Sequence, residues 1–451
     1  MGRLFGTDGI RGIVGAELSC ELAMKVGKAA AYVLAKHNKN KPNIIIGRDT
    51  RISGQMLEAA LVAGICSAGA DCLLAEVVPT PAISLLAKKY KCDAGIMISA
   101  SHNPAEFNGI KIFNGEGLKL SDELELEIED FILNCDKKMP LHSDREPGRN
   151  FLCKDAAKDY VDYVCATTKC SDLSGIKVIV DCANGSASAT AQSIFKKLNV
   201  NADFINNDPN GFNINYECGS THVDKLASYV KEGKYDVGVA FDGDADRCLA
   251  VDETGNLIDG DQLIAIFAKY MQKNECLDGN TVVVTVMSNL GFFHFAKENN
   301  INLEVTKVGD RYVLENMLTN GHKIGGEQSG HIIFKDFANT GDGQLTAIQL
   351  LDCIKNSGKS FSELASVMNK FPQILVNVKA NNEQKEIYLN STEIEDYIHQ
   401  KEQLLGENGR ILVRCSGTEP IIRVMIEGKN QNLIKEISSE IAEKIVEVVC
   451  A

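Results

Sequence analysis

Four short polar motifs hold most of the residues in this chain that could do chemistry. The first, SASHNP (residues 99–104), ends the apolar run Gly95-Ile96-Met97-Ile98. Ten residues after Ser101, Lys111 sits inside a second apolar run, Gly109-Ile110-Lys111-Ile112-Phe113. A hydroxyl at the tip of a buried strand with a lysine close behind asks for a reason based on charge. Plainer readings also fit: serines suit the turn that Asn103-Pro104 favours, and Lys111 could lay its stem on apolar surface with its head in water. No G-x-S-x-G elbow surrounds either serine, so acyl hydrolysis has little support.

The second motif, DGDADR (242–247), places Asp242, Asp244 and Asp246 at period two, so an extended segment would turn the three carboxylates the same way. Such anions repel one another, and a divalent cation relieves the repulsion. An EF-hand is excluded, because Arg247 stands where its glycine must be and a strand, Asp236–Phe241, precedes the aspartates. Three carboxylates leave a magnesium-sized shell incomplete, so the ion should also take a substrate or phosphate oxygen. A solvated acidic turn is the alternative.

The third, GEQSGH, offers Glu327, Ser329 and His331 around glycines that let a ligand approach the backbone; a surface turn would look similar. Upstream, Gly309-Asp310-Arg311 opens a helix, whose first N–H groups favour an anion. The fourth, RCSGTEPIIR, flanks Ser416, Gly417 and Thr418 with Arg414 and Arg423, a plausible phosphate cradle or an ordinary polar hairpin. Gly358-Lys359-Ser360 and Gly341-Asp342-Gly343 complete neither a P-loop nor a dinucleotide fingerprint.

These motifs need elements to position them, and the chain repeats one order of elements three times. A strand at 43–47, a helix at 55–68, a strand at 72–77, a helix at 81–89 and a strand at 94–98 form the first pass. The second runs 177–180, 189–198, 203–206, 223–232 and 236–241; the third runs 281–286, 292–298, 303–308, 312–318 and 323–325. Alternating strands and helices predict mixed, largely parallel sheets covered by helices, with ligands at the strands' C-terminal ends. The passes close on SASHNP, DGDADR and GEQSG, which predicts one shared cleft. After Pro372, strands at 375–379, 410–415 and 421–427 and a helix at 433–449 predict a smaller α+β domain. The polar segment 137–150 falls near the first boundary. The expected division is 1–152, 153–256, 257–370 and 371–451.

Composition narrows the setting. With 451 residues the chain should hold several domains. Its net charge of −14 argues against a nucleic-acid partner. No apolar run is long enough to span a bilayer, and the start lacks a signal peptide's apolar core. Fifteen cysteines without a C-x-x-C pair argue against a disulfide framework or thiolate zinc site and suit a reducing cytoplasm.

Taken in order along the whole chain, SASHNP, DGDADR, GEQSG and RCSGTEP resemble the phosphoserine, magnesium, sugar-binding and phosphate-binding loops of the α-D-phosphohexomutase superfamily. The resemblance implies three related α/β domains with mixed sheets plus a C-terminal α+β phosphate-binding domain, arranged around a central cleft. It implies that Ser101 carries the phosphoryl group and, with Asp242, Asp244 and Asp246, holds one Mg²⁺ per subunit. Lys111 is then the candidate acid/base, with Arg11 and His331 as further catalytic candidates. Arg247, Gly309, Asp310, Arg311, Glu327 and Ser329 would contact the sugar phosphate. Arg414, Ser416, Gly417, Thr418 and Arg423 would hold a phosphate. The opening FGTDGIRG and the string GEQSGH are most similar to the superfamily's amino-sugar branch. That branch interconverts glucosamine 6-phosphate and glucosamine 1-phosphate through a hexosamine 1,6-bisphosphate, which also acts as activator, and feeds amino-sugar nucleotide and cell-wall precursor synthesis. Glucose or mannose phosphates are the alternative substrates, and a metal-dependent serine phosphatase or a non-catalytic sugar-phosphate sensor are alternatives of another class. A small phosphosugar is the expected partner, with the protein a monomer or homodimer.

Overall fold

The computed structural model describes residues 4–6, 8–35, 41–134, 146–416 and 420–450. They group into two units, Met1–Met287 with Ile301–Val367, and Ser288–Asn300 with Met368–Ala451. No helix among the described residues is long and apolar enough to cross a membrane.

The first unit contains three sheets. One comprises β1 (Ile10–Ile13), β2 (Asn43–Arg48), β3 (Asp71–Val77), β4 (Ala94–Ile98), β5 (Phe107–Asn114) and β6 (Asn150–Leu152), ordered β1-β5-β4-β2-β3-β6. The next comprises β7 (Lys177–Asp181), β8 (Asn201–Ile205), β9 (Val237–Phe241), β10 (Cys248–Asp252) and β11 (Leu257–Ile258), ordered β11-β10-β9-β7-β8. The third comprises β12 (Thr281–Thr285), β13 (Asn302–Thr306), β14 (Ile324–Gly326) and β15 (Ile332–Phe334), ordered β13-β12-β14-β15.

One plan underlies all three. The first strand of each pass is central, the second and third run parallel to it on either side, and a return strand lies antiparallel to the third. The sheets are therefore mixed, as the sequence implied. Central strands buried on both faces need apolar residues at every position, and Ile44, Ile45 and Ile46 are all fully buried. Helices cover the faces closely. Where the helix Cys20–Ala35 meets the helix Ser53–Ser67, a Cβ added to Gly64 would stand 2.1 Å from the Met24 carbonyl oxygen. Only glycine permits that approach.

The second unit carries an antiparallel sheet of β16 (Gln373–Lys379), β17 (Gly409–Cys415) and β18 (Ile421–Gly428), ordered β16-β18-β17. The closing helix, Gln431–Cys450, buries Ile434, Ile437, Ile441, Ile445 and Val449 on one face in the core beneath this sheet. The helix Leu290–Glu298, which in sequence connects β12 to β13, groups with this unit. Glu427, fully buried on β18, accepts from Asn289 Nδ2 at 2.9 Å and from the Leu290 N–H at 3.0 Å, which ties the start of that helix here.

Candidate active site

In each α/β sheet the polar motif fills the loop between the third strand and its return strand, at the third strand's C-terminal end. The first loop is held from behind. Arg51 is almost fully buried and donates to the carbonyls of Ser101 (2.9 Å), Asn103 (2.8 Å), Phe107 (3.1 Å) and Pro104. Asn215 Nδ2, from the second α/β domain, donates to the Ser101 carbonyl at 2.8 Å and the Asn103 carbonyl at 3.0 Å. Ser99 is consumed by this scaffold: its hydroxyl donates to Asp49 Oδ2 at 2.6 Å and accepts the Ser101 N–H at 2.9 Å. Ser101 itself has φ +51, the left-handed region that non-glycine residues seldom occupy. The buried contacts over-determine that conformation and aim the hydroxyl at the acidic loop.

The Ser101 hydroxyl donates to Asp242 Oδ2 at 2.6 Å. Asp242, Asp244 and Asp246 are buried and offer one oxygen each, all within 4.8 Å of one another. The convergence is not that of an extended strand, as the period of two suggested. The residues lie in a turn, with Ala245 at φ +56. Gly243 lets the two loops touch, because a Cβ there would stand 2.6 Å from the Ser101 carbonyl oxygen.

Lys111 does not send its head to solvent. It is 2% exposed, and its ammonium lies 2.8 Å from Asp244 Oδ2, 3.0 Å from Asp8 Oδ2 and 3.4 Å from Asp246 Oδ2. Burial works against its charge, but these carboxylates hold its pKa well above the ordinary value. Burial likewise opposes the charge of Asp244, yet Lys111 and the Thr80 hydroxyl (2.5 Å) keep its pKa low. Asp242 moves the other way, pushed up by burial and by the charges of Asp246 and Asp244. Asp244 Oδ1 and Asp246 Oδ1 are buried with no hydrogen-bond partner. Unpartnered buried carboxylate oxygens next to a serine oxygen fit a hard divalent cation.

From Lys111 a line of alternating charges continues outward. Asp8 pairs with Arg11 through Oδ2, and its Oδ1 lies 2.6 Å from Lys119 Nζ. Lys119 also lies 2.6 Å from Asp310 Oδ2. His331 Nε2 is 3.4 Å from the same oxygen, but it accepts the Gly341 N–H at 3.1 Å. A backbone N–H can only donate, so the neutral ring must carry its proton on Nδ1. That Nδ1 is buried without a partner. Gly309, at φ +130, donates its N–H to Glu327 Oε1 at 3.1 Å, so the start of the helix Asp310–Asn320 is tied to the GEQSG loop.

Ser329 Oγ is buried with no partner. Arg247 stands between the loops: its guanidinium lies 3.3 Å from His102 Nδ1, and its backbone N–H donates to Asp242 Oδ1 at 3.2 Å. Burial, with the charges of Arg247 and Arg11, pushes the His102 pKa down to about 4, so this ring is neutral. Arg311 is turned instead to Asp122 and, at 3.9 Å, Glu125. In the second unit Arg414 and Arg423 are directly opposite one another on β17 and β18. Burial and then the Arg423 charge lower the Arg414 pKa. Ser416 is buried, and its carbonyl accepts from Lys385 Nζ at 2.7 Å. Gly417 and Thr418 lie outside the described residues.

Sequence reasoning missed Asp8, Asp49, Arg51, Thr80, His102, Lys119 and Asn215. Asp8 sits within the quoted FGTDGIRG, three residues from Arg11, and that spacing was a usable signal. His102 likewise sits inside the quoted SASHNP; Asp49, Arg51, Thr80, Lys119 and Asn215 reach the site residues they hold across 50 or more residues of chain, and no local pattern announces them.

Models of the phosphoglucomutase/phosphomannomutase family match the chain in sequence: alpha/beta/alpha domain I over residues 2–139, domain II over 158–255, domain III over 259–371 and the C-terminal domain over 375–444. The chain is 52% identical over 447 residues to phosphoglucosamine mutase of Acetivibrio thermocellus, covering 99% of each chain. It is 52% identical over 445 residues to phosphoglucosamine mutase of Clostridium acetobutylicum, with the same coverage. Among solved structures it resembles a phosphoglucomutase/phosphomannomutase family protein from Burkholderia thailandensis, with TM-score 0.82, 22% identity and coverage of 99% of this chain and 97% of that one. It also resembles N-acetylphosphoglucosamine mutase of Aspergillus fumigatus in complex with GlcNAc-6P and magnesium, with TM-score 0.70, 17% identity and coverage of 99% and 96%. At these identities the two structures speak for the fold.

Proposed function

The chain belongs to the phosphoglucomutase/phosphomannomutase family, the α-D-phosphohexomutases, and from that premise we propose that it interconverts glucosamine 6-phosphate and glucosamine 1-phosphate through a phosphoserine at Ser101. The observation that carries the chemistry is the 2.6 Å contact between the Ser101 hydroxyl and Asp242, one of three converging buried carboxylates. The choice of sugar rests on the name shared by relatives 52% identical over the whole chain.

One Mg²⁺ per subunit would be held by Asp242, Asp244, Asp246 and an oxygen on Ser101, and when bound it supplies positive charge to the phosphoryl group in transfer. The protein's own groups do the rest. The P–Oγ bond of phospho-Ser101 breaks as O1 of glucosamine 6-phosphate bonds to phosphorus. The O1 proton leaves to a base, and an acid protonates Oγ. Lys111, which its carboxylates keep protonated, is the candidate acid, and with Arg11 it places positive charge beside the transferred group. His331 is the third candidate, restricted to its Nδ1 side because Gly341 occupies Nε2.

The hexosamine 1,6-bisphosphate then turns end for end, and its 6-phosphate returns to Ser101; added bisphosphate recharges an enzyme that has lost its phosphoryl group. Glu327, Ser329, Arg247, Gly309, Asp310 and Arg311 are the proposed sugar-phosphate contacts. Arg414, Ser416, Gly417, Thr418 and Arg423 are the proposed grip on the phosphate that is not reacting. The described cysteines are all free thiols, which suits the cytoplasm as the enzyme's place.

The test compares initial rates on glucosamine, glucose and mannose 6-phosphates by phosphorus NMR, with Mg²⁺ and a trace of the matching bisphosphate. The highest kcat/KM is expected for glucosamine 6-phosphate. A higher value for another sugar would reassign the substrate within the family. Net release of inorganic phosphate would make the protein a phosphatase.

A further inference from the structure

The segment after β5 meets the third α/β domain through several neighbouring polar contacts, and they are not alike. At the flanks, Arg311 meets Asp122, and Asn339 Nδ2 donates to the Glu116 carbonyl at 2.9 Å. The Asp122 side chain is 72% exposed, and an ion pair of that kind contributes little; the Asn339 contact is to backbone and is itself exposed. Between them Lys119 is only 15% exposed and lies 2.6 Å from both Asp8 Oδ1 and Asp310 Oδ2. Removing that cation takes from Asp310 its ammonium partner and leaves Asp8, which already feels the Asp310 charge, to Arg11 and Lys111 alone.

What those two carboxylates hold decides the role. Asp8 pairs with Arg11 and lies 3.0 Å from Lys111. Asp310 opens its helix beside Gly309, whose N–H is fixed on Glu327. A single ammonium therefore joins the residues placed at the phosphoryl group to the loop placed at the sugar hydroxyls. Without it, Asp8 would draw Arg11 and Lys111 toward itself, and the Asp310 end would lose its anchor.

We propose that Lys119 is a positioning residue for the mutase reaction, fixing the span between the Arg11–Lys111 pair and the Glu327 loop so that the sugar oxygen, and not water, reaches the phosphoryl group. The proposal rests on the functional reading above and adds a residue that none of the four motifs contains.

The experiment labels Ser101 of the full-length enzyme with ³²P, mixes it with glucosamine 6-phosphate and Mg²⁺, and counts label on sugar and on inorganic phosphate. In Lys119→Met, transfer to sugar should fall by about 10²-fold, the scale of a misplacement near 1 Å. Loss to water should stay level or rise. Lys119→Arg keeps a cation between the carboxylates and should recover most of the transfer. If Lys119→Met fails to fold, Lys119→Gln keeps hydrogen-bond donors between the carboxylates without the charge; it should fold and still favour water, and the limits set for Met then apply to it. Transfer to sugar within about threefold of wild type in a Met variant would overturn the proposal. So would sugar transfer and water release falling in step, with Arg no better than Met, since that is the mark of a structural role alone. Wild-type enzyme that passes its label to another hexose phosphate sinks the substrate reading only, and the Lys119 ratio is then read on that sugar. Wild-type enzyme that takes no label on Ser101 sinks both.

Discussion

At the tip of β9 three aspartates crowd together, and the protein itself supplies a cation: Lys111, 2% exposed, lies on Asp244 and Asp246. In the C-terminal sheet Arg414 and Arg423 stand directly opposite one another, and burial followed by the Arg423 charge lowers the Arg414 pKa. Like charges opposite one another destabilise a strand pair. The acidic region is thus partly satisfied from within, and what it lacks is confined to Asp244 Oδ1 and Asp246 Oδ1. The basic pair instead sets like charge against like charge across two strands. A cluster whose charges attract and one whose charges repel should answer the same kind of deletion differently.

The largest effect is expected from Asp244→Ala. It removes a proposed metal oxygen and strips Lys111 of its nearest partner, so turnover with Mg²⁺ should fall by about 10²–10³-fold. The melting temperature should also drop, because a buried ammonium loses compensation. Wild-type turnover with an unchanged melting curve would break the comparison. Next comes Arg423→Ala, where the two readouts should separate. The KM for sugar phosphate should rise about tenfold with loss of a charged hydrogen bond to phosphate. The melting temperature should change little, because Arg414 loses a like-charged neighbour. A clear loss of stability would show that Arg423 is structural.

The smallest effect sharpens the acidic side alone. Burial and two neighbouring carboxylates raise the Asp242 pKa, so the metal-free fold holds a proton there that the unfolded chain gives up near the ordinary value of about 3.9. That contribution to stability is present below the unfolded value and is lost as pH rises through the raised one. A divalent cation must expel the same proton, so its apparent affinity should climb by up to about tenfold per pH unit until Asp242 ionises. The rise in melting temperature on adding Mg²⁺ should then grow with pH across the range in which Asp242 ionises and level off above it. A rise that stays the same at every pH from the ordinary carboxylate range upward would mean that Asp242 is not a ligand.

Much of the fold was legible because its signals are local. Runs such as Asn43-Ile44-Ile45-Ile46 and the alternation with helices located the strands of all three passes to within a few residues. The return strands were harder, since β10 and β15 read as apolar runs whose antiparallel direction depends on partners elsewhere. The helices Gly260–Lys273 and Gly343–Ser357 are buried on most of their surface, which blurs the amphipathic period. At the site, Ser101, Lys111 and the aspartates stood out as polar groups breaking apolar runs. What placed them did not. Arg51 looks like any loop arginine in sequence, yet it holds four carbonyls of the Ser101 loop; Lys119 looks like a surface lysine until its two aspartates, 111 and 191 residues away, are brought to it.

The left-handed backbone at Ser101 reaches beyond geometry, to which amino acids evolution can try there. A threonine would offer the same kind of oxygen and form the same class of phosphoester. Its branched Cβ, however, makes φ +51 a genuine outlier, while Arg51 and Asn215 prevent the loop from relaxing to suit it. Two residues that the proposed chemistry would accept equally are told apart by a torsion angle.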